Sequence, residues 1–217
     1  MTSLPWLDPD QLWFPPAEEA LEDPDGLLAL GGDLSPERLI LAYRNGIFPW
    51  FESDKNLIWW SPDPRMILYC DKFNISKSFK VFLKKCDFRI TFNKEFEEVI
   101  NLCANIKRIN QKGTWITKGL INSFIELHRM GKAISVEVWE HDEIVGGLYG
   151  LDLDDIFCGE SMFSKSSNAS KVALYYLNLE LKKNNYRFID CQVPSEHLKS
   201  LGGEIIKREN FLNLLSK

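Results

Sequence analysis

Two short segments in the C-terminal half of the chain carry polar side chains that could do chemistry. The first, IDCQV, contains Asp190, Cys191 and Gln192. If this segment is a β-strand, its side chains alternate between two faces, which places Asp190 and Gln192 on one face and Cys191 on the other. An acid and an amide on one face could act together on one substrate. We therefore favour these two residues as functional, and we expect Cys191 to be a core residue.

The second segment, CGESMFS, places a carboxylate among apolar residues. Alternation along a strand predicts that Cys158, Glu160 and Met162 share one face. Burial of the Glu160 carboxylate beside an apolar surface would be unfavourable unless a partner or a substrate compensates for the lost water. Two interpretations follow. Glu160 either forms a structural ion pair with a nearby Lys or Arg, or it acts on a substrate.

Tryptophans are the third set of candidate residues. Residues 47–64 contain three prolines, which prevent a regular helix, and more aromatic residues than an ordinary loop. These aromatic residues are Phe48, Trp50, Phe51, Trp59 and Trp60. Trp115 lies in a separate motif, GTWIT. Each tryptophan could stack on a planar ring of a ligand, or it could anchor the core or a domain interface.

The elements that must position these residues combine helices and strands. Ser35 as an N-cap, Pro36 at the first helical position and Gly46 as a stop predict a short helix. Residues 134–149 alternate on both sides of the polar sequence EHDE, which predicts an antiparallel hairpin. Further helices are expected at residues 76–86, 94–104, 118–130 and 169–183, and further strands at residues 88–92, 156–163 and 188–193.

The order of these elements predicts an α+β fold in two domains. The strand, helix and strand over residues 156–193 favour parallel pairing through a right-handed crossover, and hence a mixed sheet flanked by helices. We place a domain junction near Asp63. It divides a small N-terminal domain, residues 1–63, which contains the segment rich in Trp and Pro, from a C-terminal domain, residues 64–217, which contains Glu160, Asp190 and Gln192. Residues 1–25 are expected to form an extended arm. Candidate anchors for this arm are Trp6, Trp13 and Phe14.

Composition narrows the class of protein. A net charge of −5 argues against a protein that coats nucleic acid indiscriminately, but it leaves room for a local basic patch. No apolar run approaches the roughly 18 residues that span a bilayer, and the first residues do not resemble a signal peptide, so we expect no membrane partner and a cytoplasmic location. The five cysteines include no CxxC pair and the histidines are scattered. We therefore expect no metal site.

Three blocks of sequence together resemble one family. They are the stretch from Gly26 to Arg65, the CGESMFS segment and the IDCQV segment, in that order. The chain is similar in these blocks to leucyl/phenylalanyl-tRNA–protein transferases, and the similarity runs from about Phe14 to Leu212. The resemblance implies a C-terminal domain similar to the N-acetyltransferase fold and an enzyme without a cofactor.

The resemblance also implies the reaction. Leu or Phe, and less readily Met, would move from aminoacyl-tRNA to the N-terminal Arg or Lys of an acceptor protein, marking it for N-degron degradation. An aminoacyl ester is already activated towards an amine, so the enzyme mainly positions the reactants and manages one proton. The family's relay has Asp190 polarise Gln192. Because a neutral amide is a weak base, we expect Gln192 to orient the acceptor amine while Asp190 holds the side-chain amide of Gln192 in place. We also expect Glu160 and Asp190 to attract the cationic acceptor.

Site residues follow from the resemblance position by position. Glu160, Asp190 and Gln192 match the catalytic residues, and Trp50, Trp115 and Phe157 match those that hold the 3′-terminal adenosine. The pocket for the transferred side chain matches Leu148, Met162, Leu174, Leu177, Leu181 and Ile189, which an ordinary core could also use. The tRNA backbone would contact Lys77, Lys80, Lys84 and Lys85, which could equally be a solvated helix face. Strict alternation turns Phe157 away from Glu160, so its role requires a bulge near Gly159 or a site that wraps the strand edge.

Two other classes of function stay open from the residues alone. A small-molecule N-acyltransferase that uses an acyl-thioester would fit the predicted fold, but its pyrophosphate loop should be rich in glycine and basic residues. Here the turn before the helix at residue 169 is SKSSNASK, which has no glycine. A non-catalytic module that binds basic N-termini would need only the tryptophans and the acids.

Overall fold

The computed structural model describes residues 4–106 and 114–216. The strands are β1 (Trp6–Leu7), β2 (Leu27–Gly31), β3 (Phe48–Pro49), β4 (Ile58–Trp60), β5 (Arg65–Tyr69), β6 (Arg89–Phe92), β7 (Ala133–Glu140), β8 (Glu143–Asp152), β9 (Ile156–Ser164), β10 (Phe188–Asp190) and β11 (Glu204–Ile206). The α-helices are α1 (Pro36–Arg44), α2 (Lys77–Lys85), α3 (Phe96–Asn105), α4 (Lys118–Arg129), α5 (Ala169–Lys183), α6 (Glu196–Ser200) and α7 (Arg208–Leu215).

These strands form two sheets. The small sheet has the order β1-β2-β4-β3, and the large sheet has the order β11-β5-β10-β9-β8-β7-β6. In the large sheet β9 and β10 pair in parallel through the α5 crossover, whereas the other neighbours are antiparallel. The predicted α+β class is therefore confirmed, with a small N-terminal domain and a mixed C-terminal sheet. A division of the chain at Asp63 stays a prediction.

Local sequence signals explain the elements that were predicted correctly. The Ser35 side chain accepts a hydrogen bond from the Arg38 N–H at 3.4 Å, Pro36 begins α1, and Gly46 follows its end with φ +73°. Helix α5 has the predicted bounds, and the predicted hairpin forms as β7 and β8. Strands β2 and β5 were missed. Both are largely buried, so their sequences, LLALG and RMILY, lack the alternation of a half-exposed strand.

Two apolar clusters form the interior. One cluster is continuous from the small sheet and α1 to one side of the large sheet, and its members include Tyr43, Trp59, Phe124 and Phe211. The other packs α2 and α5 against the large sheet, and its members include Phe79, Leu148, Leu174 and Leu177. The N-terminal part of the chain therefore shares its interior with the C-terminal sheet.

A buried arginine pins the N-terminal arm. Arg38 Nη2 donates to the carbonyl oxygens of Asp8 and Gln11, each at 3.0 Å. Phe14 packs edge-on against Trp59 with ring centroids 4.8 Å apart. The predicted anchors Trp6 and Trp13 remain 68% and 40% exposed, so that part of the prediction is wrong. The arm is held by its carbonyl groups on Arg38, by the pairing of β1 with β2 and by buried apolar residues that include Leu7.

Candidate active site

A β-bulge in β9 places Glu160 outside the regular alternation of side chains along the strand. Tyr149 pairs with Ser161 and Gly150 pairs with Gly159, which leaves Glu160 unpaired between them. An extra residue of this kind bends a strand and reverses the alternation beyond it. Cys158 accordingly packs in the cluster around Tyr43, whereas Met162 packs with the α5 cluster. The prediction that Cys158, Glu160 and Met162 share one face is wrong.

The Glu160 carboxyl is held by two polar partners. The Tyr43 hydroxyl donates to Glu160 Oε1 at 2.6 Å, and Gln192 Nε2 donates to the same oxygen at 3.3 Å. Burial raises the pKa of Glu160 to about 8; the nearby Asp190 charge adds to this effect, while the Tyr43 hydrogen bond and Arg65 oppose it. The carboxyl is therefore mostly neutral at pH 7. The structural interpretation was an ion pair between Glu160 and a Lys or Arg. Within residues 4–106 and 114–216, Glu160 forms no such ion pair.

Asp190 lies beneath the site. Arg65 Nε donates to its Oδ1 at 2.9 Å and Arg65 Nη2 to its Oδ2 at 2.7 Å, and both side chains are 1% exposed. The guanidinium also donates to the Gly46 carbonyl at 3.1 Å and lies 4.9 Å and 4.6 Å from the ring centroids of Phe48 and Phe211. The charge of Asp190 is therefore balanced by that of Arg65, and its side chain is enclosed by protein. The expectation that it meets the substrate, or attracts a cationic acceptor, does not hold.

Gln192 departs from strand geometry. Strand β10 ends at Asp190, and Gln192 has φ +57°, in the left-handed region. Its backbone N–H donates to Asp190 Oδ1 at 3.0 Å, while its side chain reaches Glu160. Asp190 thus fixes the Gln192 backbone, and the side-chain amide that we expected it to hold is held by Glu160. The prediction that Asp190 and Gln192 lie side by side on one strand face is wrong.

Cys191 is not a core residue. Its side chain is partly accessible and borders the same space as Glu160 and Gln192. Burial, together with the charge of Asp190, raises the pKa of the Cys191 thiol well above its usual value. A thiol in this state is a poor nucleophile, because the reactive form is the thiolate. We therefore assign Cys191 no chemical role, and its side chain forms part of the wall of the site.

Two cavities meet at Glu160, Cys191 and Gln192, which line both of them. The inner cavity, of about 430 Å³, lies between β9 and α5. Its apolar wall consists of Leu148, Phe157, Met162, Leu174, Leu177 and Ile189. Five of the six predicted pocket residues line it. Leu181, on α5, does not line the cavity and packs in the cluster between α5 and the large sheet, so its placement in the pocket was wrong.

The outer cavity, of about 270 Å³, is bordered by the two predicted tryptophans. Trp50 is 46% exposed, and its carbonyl accepts a 2.7 Å hydrogen bond from Trp60 Nε1. Trp115 lies partly buried beside it. Phe157, 1% exposed, lines the inner cavity and not this one, so the structure separates it from Trp50 and Trp115. The predicted contact of Phe157 with the adenosine required a strand bulge near Gly159, and a bulge is present at Glu160.

Four exposed lysines lie together on α2. They are Lys77, Lys80, Lys84 and Lys85. In the part of the chain that the structure describes, none of the four forms an ion pair. Phe79 on the opposite side of α2 is buried in the α5 cluster, so the helix has one packed side and one positively charged side.

Two residues of the site escaped the sequence analysis. Tyr43 falls within the short helix predicted between Ser35 and Gly46, and its sequence context gave it no role, although a buried tyrosine hydroxyl usually has a hydrogen-bond partner. Burial, followed by the Glu160 contact, raises the pKa of Tyr43, so its hydroxyl stays protonated. Arg65 precedes an apolar run, where a buried cation requires an acid. Neither signal identifies the partner, because Glu160 and Asp190 lie far along the chain.

Two features are missing from residues 4–106 and 114–216. No helix among them combines the length and apolar character needed to cross a membrane. No group of three or more His, Cys, Asp and Glu side chains among them is arranged to hold a metal ion.

Comparison with known proteins gives one consistent result. The sequence profile described as "Leucyl/phenylalanyl-tRNA protein transferase" matches residues 67–216, and the profile of its N-terminal domain matches residues 32–63. The protein of that name from Flavobacterium johnsoniae is 56% identical over 94% of this chain and 95% of its own length. Its counterpart from Pseudoalteromonas atlantica is 53% identical over 95% of this chain and 88% of its own length.

Solved structures give weaker matches. A conserved protein of unknown function from Bacteroides thetaiotaomicron aligns with a TM-score of 0.47 and 15% identity, over 63% of this chain and 53% of that one. L-PGS from Bacillus licheniformis aligns with a TM-score of 0.43 and 14% identity, over 78% of this chain and 54% of that one.

Proposed function

The chain belongs to the leucyl/phenylalanyl-tRNA–protein transferase family and is an aminoacyl transferase, and from this premise we propose its substrates and the roles of its site residues. Leu or Phe, and less readily Met, moves from aminoacyl-tRNA in the cytoplasm to the N-terminal Arg or Lys of an acceptor protein, which is thereby marked for N-degron degradation. One observation carries this proposal: an apolar cavity and an aromatic cavity meet at Glu160 and Gln192.

The two cavities suit the two halves of an aminoacyl-adenosine. The inner cavity takes the transferred Leu or Phe side chain, since its wall is apolar and includes the adaptable Met162. The outer cavity takes the terminal adenosine, with Trp50 and Trp115 stacking on the base for roughly 1–3 kcal/mol. Phe157 supports the side-chain cavity in this assignment. The ester bond then lies where the cavities meet.

The reaction joins the acceptor amine to the ester carbon. The nitrogen forms the new amide bond, the bond to the ribose oxygen breaks, and one amine proton passes to that oxygen. The Gln192 carbonyl oxygen accepts a hydrogen bond from the amine, because the amide nitrogen is engaged by Glu160. The neutral Glu160 carboxyl donates its proton in a hydrogen bond to the ester carbonyl oxygen, where negative charge develops. Asp190 acts from below as a positioning residue.

A pair of matched peptides tests this function. Leucyl-tRNA is incubated with purified protein and with one peptide that begins with Arg and one that begins with Ala, and the peptide masses are measured. Addition of one leucine to the Arg peptide alone is the expected result. Peptide that is bound and left unmodified would favour a non-catalytic module, and reaction with acyl-thioesters in place of leucyl-tRNA would favour a small-molecule N-acyltransferase. Either outcome overturns the proposal.

The α2 lysines make a separate prediction about salt. If Lys77, Lys80 and Lys84 contact tRNA phosphates, replacing all three with glutamine should lower the slope of log affinity against log salt by about 2 to 3. Binding of leucyl-tRNA is measured across a salt series. Glutamine at three exposed cations elsewhere, Lys94, Arg129 and Lys207, removes the same charge as a control. Equal slopes for the α2 variant and the unmodified protein would remove the patch from the tRNA interface.

A further inference from the structure

One carboxylate joins the two segments that carry the tryptophans of the outer cavity. Asp54 Oδ1 accepts a hydrogen bond from the Thr117 hydroxyl, and Asp54 Oδ2 accepts one from the Gly119 N–H at 2.9 Å. Trp50 lies four residues before Asp54, and Trp115 lies two residues before Thr117. The contact therefore connects the segment that carries Trp50 with the segment that carries Trp115.

The physical basis of this contact is the start of α4. The first N–H groups of a helix lack partners within the helix, and the helix dipole favours a negative charge there. The Thr117 oxygen already accepts the Leu120 N–H at 3.3 Å, so its own hydrogen is available to Asp54. Asp54 thus completes the cap of α4 from another segment of the chain.

Each tryptophan also has support that does not involve Asp54. The Trp50 N–H donates to the Ile58 carbonyl at 3.1 Å, on the side of the small sheet. Trp115 precedes Ile116, which is 2% exposed in the core. Among the hydrogen bonds of the described residues, those of Asp54 are the ones that connect residues 50–57 with residues 114–120. Loss of this carboxylate would remove the hydrogen bonds that fix one segment against the other, so the distance between the two tryptophans would no longer be set.

A glycine on α4 leaves room for this carboxylate. A Cβ atom built at Gly119 would lie 2.7 Å from Asp54 Oδ1 and 2.8 Å from Asp54 Cγ. These distances are too short for any real contact, so a side chain at position 119 would displace the Asp54 carboxylate. Alanine is also the better helix former, which offsets part of the capping that α4 loses when the carboxylate moves.

We infer that Asp54 is a positioning residue for the donor, which sets the spacing of Trp50 and Trp115 for the terminal adenosine of the aminoacyl-tRNA. The inference rests on the proposed function of the outer cavity. It concerns binding of the donor and not the transfer step, since Asp54 borders neither Glu160 nor Gln192. Its loss should therefore appear in the KM for aminoacyl-tRNA.

Two variants break the contact in different ways. Asp54→Ala removes the carboxylate, and Gly119→Ala displaces it. Both should raise the KM for leucyl-tRNA by about threefold to tenfold, with kcat and the peptide KM within about twofold of the unmodified protein. Asp54→Asn, which keeps one acceptor oxygen, should give an intermediate KM. Glu52→Ala removes an exposed carboxylate from the same loop and serves as the matched control, with an unchanged KM.

The melting temperature separates positioning from a general loss of structure. Gly119→Ala should raise the donor KM with a smaller fall in Tm than Asp54→Ala, because the helix propensity of alanine offsets part of the lost capping. Unchanged donor KM in both variants would overturn the inference, as would a raised KM in Asp54→Ala that occurs with a lower Tm while Gly119→Ala behaves like the unmodified protein. Trp50→Ala and Trp115→Ala are measured in parallel. If these two leave the donor KM unchanged, the stacking assignment fails; if they raise it and the Asp54 and Gly119 variants do not, only the role of Asp54 fails.

Discussion

Replacing Asp190 with alanine is expected to lower both turnover and stability. The Arg65 guanidinium would remain buried without its carboxylate, and the loss of one member of a buried ion pair typically costs about 3–5 kcal/mol. The Gln192 N–H would also lose its acceptor, so the side chain that faces the substrate would shift. We expect kcat to fall by roughly 10² or more, because small displacements of reacting groups have effects of that size.

A double variant separates the two effects. Arg65→Met combined with Asp190→Leu replaces the pair by apolar side chains between Phe48 and Phe211, and such replacements are often neutral or stabilising. Its free energy of unfolding should recover relative to Asp190→Ala, whereas kcat should stay low because Gln192 is still without an anchor. Unfolding curves and single-turnover rates are the measurements. Recovery of kcat together with stability would show that Asp190 serves folding alone.

The contribution of Glu160 to the stability of the protein should fall as the pH rises from about 4.5 to about 8. Burial raises the pKa of Glu160 from 4.5 to about 8, so between these values the folded protein holds a proton that the unfolded chain has released. The stabilisation is complete at low pH and is lost as the pH passes through the folded pKa. One such group gives a slope of at most about 1.4 kcal/mol per pH unit, and less here because the side chain is partly accessible. Glu160→Gln should remove this slope in urea unfolding measured from pH 5 to pH 9.

The same carboxyl should shape the pH dependence of turnover. The acceptor α-amine, with a pKa near 7.7–8.0, gives a rising limb, and ionisation of Glu160 near pH 8 gives a falling limb. Glu160→Gln should keep the rising limb and lose the falling one, because the amide still donates a hydrogen bond. Tyr43→Phe removes a hydrogen bond that lowers the pKa of Glu160, so it should move the falling limb to higher pH. If the falling limb persists in Glu160→Gln, it arises from the ionisation of another group.

Sequence patterns predicted those elements whose signals are local. Caps and helical spacing identified α1 and α5, and alternation identified the β7 and β8 hairpin. Strand β5 could not be recognised in this way, since Met66, Ile67 and Leu68 are all fully buried and show no alternation.

The sequence identified several residues that the structure brings together, but it did not predict how they are arranged. Glu160 and Gln192 do meet, but Asp190 lies below them, because a bulge and a left-handed residue interrupt the strand pattern on which its placement rested. Tyr43 and Arg65 could not be placed at all. Their partners are 117 and 125 positions away in the chain, and no local spacing encodes a contact of that range.

The apolar cluster that runs from the small sheet into the large one has a consequence for how the molecule unfolds. Because Trp59 of the small sheet and Phe124 beside the large sheet belong to one interior, neither part can lose its packing without exposing the other. The chain should therefore unfold in a single cooperative transition, with coincident loss of secondary structure and of tryptophan burial. The N-terminal part is then a structural member of the catalytic unit, and a fragment that lacks it would expose the side of this cluster that the small sheet and α1 now cover.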